Sequence, residues 1–588
     1  MIRHFVQWLF RWSAVGLALA GTPAGRTLAA DLQIRMLPGF AGAPLTLDSL
    51  RYDVTADEAI SVARLSLLTS HWAFERAAGG WVELPGQVLW FDAGQRRLAG
   101  VLKDVPEEEF RAVRFAVGLD PTMNSAGATP WPADHPLNPN LNGLHWSWQG
   151  GYIFFALEGL CRKSGGEPQG YVWHFARDPS FTVITLPAEI EVSRAAGIEI
   201  SLDLGAAFRG PRPVSPAGAG TATHSRAGDP IATALKANLP GVFQVRRIPG
   251  VVPVEKGPAV KPLHLPAKVT PHPFRMNARF PIPPLPEDNP LIEERVSLGR
   301  RLFEERRLSR DGTLSCASCH VAGHGFSDSR RFSVGVDGRV GKRQAMPLFN
   351  LAWKTRFFWD GRASSLREQV LMPIQDHAEM DASLDDVVAA LKSSPEYPRL
   401  FEAAFGAEGV TAGTLSLALE NFLLTIVSGD SRFDRAMKGD GELTEREKRG
   451  FELFFTEFDP RTRQAGADCF HCHGGALFTD HQFHNTGLDE APADAGRAGV
   501  TGNPQDAGRF VTPSLRNVAL TAPYMHDGRF ATLEEAVAHY TDGVKATSRL
   551  DPNLAKHPAG RLPLTAEDRA ALVAFLCTLT DESPAGGR

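Results

Sequence analysis

Two stretches, Cys316-Ala-Ser-Cys319-His320 and Cys469-Phe-His-Cys472-His473, decide how the C-terminal half of this chain folds. Each is a C-x-x-C-H, the attachment pattern of c-type haem. The spacing has a chemical reason. Two thiols add to the two haem vinyl groups, and the next imidazole falls beneath the iron as its proximal ligand. A C-x-x-C alone also suits zinc or a redox dithiol. A histidine directly after both pairs points instead to two covalent haems, with His320 and His473 on the irons.

Working outward, the haem half repeats itself. Asn350-Leu-Ala-Trp-Lys-Thr-Arg-Phe-Phe-Trp359-Asp-Gly-Arg matches Asn517-Val-Ala-Leu-Thr-Ala-Pro-Tyr-Met-His526-Asp-Gly-Arg. Upstream, Leu298-Gly-Arg-Arg-Leu-Phe pairs with Arg449-Gly-Phe-Glu-Leu-Phe. The duplication predicts two haem domains on one plan. Apolar spacing over 292–304, 384–392, 414–427, 446–455, 532–540 and 565–578 is helical, and Thr565 with Asp568 reads as a helix start. Extending the repeat places Pro373 opposite Tyr540. A proline cannot ligate iron and a phenol can, so one iron is expected open and the other closed by His473 and Tyr540. An ordinary helix tyrosine is the alternative at Tyr540, with Met525 and His539 as competing ligands.

The chain has 588 residues, 62 Lys+Arg against 67 Asp+Glu, and 43% hydrophobic residues. That composition excludes a mainly disordered chain, requires several cores, and argues against a nucleic-acid partner. At the N-terminus, Arg3 and Arg11 precede an apolar run from Trp12 to Ala20 and small residues before Asp31. Residues 1–30 thus read as a signal peptide and the mature protein as periplasmic, without a membrane span; an uncleaved anchor is the alternative. Cys161 and Cys577 remain outside the haem motifs, either paired or unpaired.

The N-terminal part, 31–247, carries strand-like runs such as Ser61–Leu68, Val113–Val117, Phe181–Leu186 and Ile198–Leu204 between Gly, Pro and Asn clusters. They predict an all-β sandwich. A Pro-rich linker, 248–286, ends Pro281-Ile-Pro-Pro-Leu-Pro and is expected to be extended and semi-rigid. The fold class is therefore multidomain: an N-terminal all-β sandwich, then two mainly α cytochrome-c-like haem domains at 287–430 and 431–583.

Residues ~285–583 resemble the bacterial di-haem cytochrome c peroxidase and MauG family. The resemblance rests on both C-x-x-C-H motifs, Phe358-Trp359-Asp360-Gly361-Arg362, Pro373-Ile-Gln-Asp-His-Ala-Glu379-Met380 and Pro523-Tyr-Met-His-Asp-Gly528. It implies that the first haem takes hydrogen peroxide, that Glu379 lies on its distal side with Gln369 and Pro373 lining the pocket, and that Trp359 couples the haems. It also implies a calcium ion between the domains, with backbone carbonyls of Thr521 and Pro523 as ligands, although Gln344 stands where the family has Asn. Two departures from the peroxidases favour a MauG-like reading. Tyr540 stands where they have Met, and Val336 stands where many carry an inactivating His.

Pro136–Gly159, with Leu144-His145-Trp146-Ser-Trp148-Gln-Gly-Gly-Tyr152, Val172-Trp-His174-Phe and His224-Ser225, resembles the MbnP family of periplasmic copper-binding proteins. That resemblance implies copper near a tryptophan converted to kynurenine by a MauG-like partner. His145, His174 and His224 are the candidate copper ligands, since imidazole suits copper. Trp146 and Trp148 are the candidate modified residues. Ordinary core packing is the alternative for each.

Three functions follow. The first is a di-haem oxidase that uses peroxide to modify a tryptophan on its own or another chain's β domain. The second is a cytochrome c peroxidase fed by a small redox donor protein. The third is a non-catalytic copper and electron-transfer protein.

Overall fold

The computed structural model describes residues 29–127, 129–146, 150–192, 197–248, 263–458 and 465–581. Trp148 and the segment 1–28 lie outside the described residues.

Alternating burial builds the N-terminal domain. In β1 (Ala29–Phe40), Leu32, Ile34 and Met36 point inward while their neighbours face outward, the period-two signature of a half-buried strand. The other strands used here are β2 (Arg64–Arg76), β3 (Ala99–Pro106), β4 (Glu109–Val117), β5 (Ile153–Lys163), β6 (Gln169–Ala176), β7 (Thr182–Glu191), β8 (Gly197–Asp203) and β9 (Phe243–Ile248). β1 lies between β3 and β8, pairing antiparallel with the former and parallel with the latter, and β9 pairs with β8. A larger sheet runs β7-β4-β2-β5-β6. Both sheets contribute to one apolar core centred on Trp72, Trp90 and Trp173, all fully buried.

The C-terminal half is helical and twofold. α1 (Glu293–Phe303) crosses α2 (Ala412–Leu424), and α3 (Glu445–Phe454) crosses α5 (Ala566–Cys577), with α4 (Pro552–Ala555) between. Gly299 and Gly450 sit at the two crossings. A Cβ on Gly299 would stand 2.0 Å from the Ala418 carbonyl oxygen, and one on Gly450 would stand 2.0 Å from that of Ala571. Only glycine admits this approach. The same Gly in both upstream segments is therefore the duplication read as geometry. The backbone repeats too: Asn350 and Asn517, Phe358 and Met525, and Gly361 and Gly528 all adopt positive φ. The start expected at Thr565 is a reciprocal capping box with Asp568.

The described part of the Pro-rich connection, 263–286, has neither helix nor strand and lies against the haem lobes. Phe280 is 1% exposed, and Trp353 Nε1 donates to the Pro281 carbonyl at 2.7 Å. The β domain docks chiefly on the second haem lobe. β6 approaches α4 so closely that a Cβ on Gly170 would meet the Pro552 carbonyl oxygen at 2.1 Å. Arg509 of that lobe pairs with Asp48 at 3.0 Å. Cys161 is buried in β5 and Cys577 is exposed at the end of α5, and both are free thiols. Among the described residues no helix is long and apolar enough to cross a membrane.

Candidate functional site

Each C-x-x-C-H forms the same short 3-10 turn. His320 N–H donates to the Cys316 carbonyl at 2.9 Å, and His473 N–H to the Cys469 carbonyl at 2.8 Å. Next, the ring is aimed. His320 Nδ1 donates to the Phe326 carbonyl at 2.9 Å, and His473 Nδ1 to the Phe478 carbonyl at 3.2 Å. That bond places the ring proton on Nδ1 and leaves the Nε2 lone pair for iron. Both proximal positions thus fit a haem in thiols, ligand and tautomer.

Above the first motif lies a cavity of 930 Å³. Cys316, Cys319, His320, Trp359, Gln369, Pro373 and Glu379 all line it, so one chamber gathers the residues expected around the peroxide-binding haem. Glu379 is held there by its backbone, whose carbonyl accepts from Val336 N–H at 2.9 Å. Gly335 permits the contact, since a Cβ would strike the Ala378 carbonyl oxygen at 2.1 Å. Burial, and then the neighbouring Asp376, push the Glu379 carboxyl up to about 7. Val336 is an apolar residue, 1% exposed, and offers no ligand to iron.

Trp359 stands at the seam of the two lobes. Its Nε1 donates to the Gln344 carbonyl at 2.8 Å, and its own carbonyl accepts from Val511 N–H of the second lobe at 2.9 Å. Arg343 locks the seam by pairing with Asp360 at 2.6 Å and with Asp494 across it at 2.7 Å. Burial, with the Cys472 and Cys469 sulfurs nearby, pushes the Tyr540 phenol well above its ordinary value. That neighbourhood puts Tyr540 beside the second attachment site. Of the competing ligands, His539 donates from Nε2 to the Thr486 carbonyl at 2.9 Å, and Met525 occupies a positive-φ turn position. Around the expected calcium position, the Gln344 amide nitrogen donates to Ser327 Oγ and to the Asp328 carbonyl, and the Thr521 hydroxyl donates to the Val518 carbonyl.

The β domain presents His174 and His224 to the second haem lobe. His174 Nε2 donates to Glu158 at 2.9 Å, and Glu158 also takes Arg64 at 3.0 Å. His224 Nδ1 donates to Glu457 of the haem lobe at 2.6 Å. The opposite nitrogens, His174 Nδ1 and His224 Nε2, are buried without a hydrogen-bond partner. Burial holds His174 down to about 3 and His471 down to about 4. The two rings lie 5.3 Å apart, and Trp146 packs 5.2 Å from His224 and 6.2 Å from His174. His145 is half-buried, with its ring 4.7 Å from Tyr152, and does not join the pair. In its place stands His471, the residue between the two thiols of the second haem motif. Sequence reasoning overlooked His471, Glu457 and Lys556. The one available signal was a histidine inside a C-x-x-C-H, where the first motif has Ser318.

Fold and site define a covalently haem-loaded, two-lobed redox protein with a β domain docked on its second lobe. The profile of the di-haem cytochrome c peroxidase family matches residues 293–442, and that of MbnP matches 29–224. The chain is 41% identical over 317 residues to the methylamine utilization protein MauG of Methylorubrum extorquens, spanning 53% of this chain and 86% of that protein. It is 34% identical over 319 residues to cytochrome c551 peroxidase of Nitrosomonas europaea, again over 53% and 86%. A solved MauG-like protein associated with microbial copper homeostasis is 38% identical, covering 53% of this chain and 96% of that one, with a TM-score of 0.48. The chain belongs to the di-haem cytochrome c peroxidase and MauG family, with an MbnP domain fused ahead of it, and is a di-haem, peroxide-using oxidoreductase.

Proposed function

We propose that the haem half oxidises Trp146 of its own β domain to kynurenine, in the periplasm, and that this domain holds copper beside it. The observation that carries the reading is a chain of rings. Trp146 contacts His224 at 5.2 Å, His224 contacts His471 at 5.4 Å, and His471 contacts Phe470 at 4.2 Å. Phe470 and His471 stand between the two thiols that bind the second haem. Trp146 is only 4% exposed, so removal of electrons through this contact chain suits it better than attack by dissolved peroxide. Its other side borders a cavity of 490 Å³ lined by Asn124, Ser225 and Asp229, which admits water.

Cys316, Cys319 and His320, and Cys469, Cys472 and His473, would hold the two haems, whose iron would supply the redox chemistry with peroxide. The protein's own residues do the rest. Glu379 takes the proton from the near oxygen of peroxide and returns it to the leaving oxygen. Gln369 and Pro373 shape the chamber, and Trp359 bridges the lobes through Gln344 and Val511. Tyr540 would close the second iron with a hard oxygen donor, which lowers its potential relative to a thioether. Overall, two peroxides take the indole to N-formylkynurenine with loss of two waters, and hydrolysis then releases formate.

The test is a peptide map by mass spectrometry of the exported, haem-loaded protein after peroxide. Kynurenine at Trp146 in the parent, and tryptophan there in a His320→Ala variant, is the expected pair of results. Unmodified tryptophan in both refutes the reading and leaves turnover with a reduced donor protein in front.

A further inference from the structure

We infer that His471, from the second haem motif, completes a three-imidazole copper site with His174 and His224 of the β domain. The inference rests on the copper reading above and adds that the site belongs to neither domain alone. One ring nitrogen from each of the three lies within 4.8 Å of the others. Metal–imidazole bonds of ~2.0–2.1 Å ask the rings to close by about an ångström, within the reach of χ rotation.

Two of the three donors are already prepared. A carboxylate can only accept a hydrogen bond, so Glu158 fixes the proton of His174 on Nε2 and Glu457 fixes that of His224 on Nδ1. Both unpartnered lone pairs then belong to the nitrogens left over. This is the carboxylate–histidine–metal arrangement that sets tautomer and ring orientation at metal sites. The two carboxylates come from different domains. The third ring is held in the same network: its Nε2 lies 3.1 Å from Lys556 Nζ and 3.7 Å from Glu457. Lys556 also bridges Glu457 at 2.6 Å and Asp468 at 3.0 Å. Lys556 can only donate, so Nε2 of His471 accepts and its ring proton sits on Nδ1 as found; binding copper through Nδ1 moves that proton to Nε2, where it turns to Glu457 while Lys556 keeps Asp468.

Buried Glu158, half-buried Glu457 and buried Asp468 gather around the three rings, with Arg64 on Glu158, Lys556 on Glu457 and Asp468, and His557 on Asp468 at 2.7 Å. Imidazole donors suit copper better than a hard ion such as calcium or magnesium. The arrangement also links functions: a ligand placed between the haem thiols ties copper occupancy to the docked β domain and to the second haem.

The experiment uses the full-length, two-haem protein. It is dialysed against buffered copper(I), bound copper is measured by mass spectrometry, and coordination is read from copper K-edge X-ray absorption. The expected result is one copper per chain with three nitrogen neighbours. His471→Leu should lose one neighbour and bind ~10–100-fold more weakly, with haem content and absorbance unchanged. Glu457→Gln should weaken binding over the same ~10–100-fold range without losing a neighbour. His145→Phe should bind as the parent does. Parent-like affinity and coordination in His471→Leu overturn the inference, as does loss of copper in His145→Phe instead. No copper on the parent refutes the underlying copper reading itself.

Discussion

Glu379 is a carboxyl poised by its surroundings. Burial and Asp376 raise it to about 7, so it holds its proton below that pH and accepts one above it. The rate of reaction with peroxide is therefore expected to rise as pH increases through about 7 and then level off. Stopped-flow haem absorbance measures this. Glu379→Gln should lower the plateau by ~10²–10⁴-fold and remove the inflection; a parent-like profile in the variant contradicts the role. Tyr540 makes a second prediction at this scale. Replacing a hard oxygen donor by a thioether, Tyr540→Met, should raise the second haem's potential in spectroelectrochemistry. An unchanged potential would mean that Tyr540 lies off the iron. Both residues were found from motif register. Register cannot report environment, however. The protonation of Glu379 depends on Gly335 letting two loops close over it, a contact between segments 43 residues apart that no local pattern encodes.

The paired helix crossings belong to the scale of elements. Gly299 in α1 and Gly450 in α3 each sit against a carbonyl of the crossing helix. Gly299→Ala or Gly450→Ala should overpack the crossing and cost ~1–3 kcal/mol, seen as a lower urea midpoint of the holoprotein. Equal midpoints would mean that the helices part without penalty. These elements were largely legible in advance. Helical spacing located α1, α2, α3 and α5, although α2 is buried on every side from Thr414 to Leu424, and strand-like runs located parts of β2, β4, β7 and β8. The docking of β6 on α4 was not legible. Gly170 and Pro552 carry no pattern that relates them, and their meeting depends on the complete shape of two surfaces.

At the scale of the whole molecule, the buried network of Glu457, Asp468, Lys556, His557 and His224 holds the β domain on the second haem lobe. Removing one partner leaves others charged and unpaired. Lys556→Met should destabilise the docked arrangement by ~3–5 kcal/mol, and hydrogen exchange should quicken in both Gln169–Ala176 and Pro552–Ala555. Unchanged exchange would mean that packing alone holds the domains. The sequence announced both halves of the molecule, through the C-x-x-C-H pairs and the His-Trp-rich segment. It concealed that His471 points out of a haem motif into the other half, because a haem-motif residue is read for its haem.

The central claim is that the haems act on Trp146 of the same chain. The most direct measurement mixes active protein of natural isotopic composition with a ¹⁵N-labelled His320→Ala variant, adds peroxide, and maps the Trp146 peptide by mass. Kynurenine confined to the unlabelled peptide, at every protein concentration, is the expected result. Kynurenine appearing equally in the labelled peptide, or in neither, contradicts it.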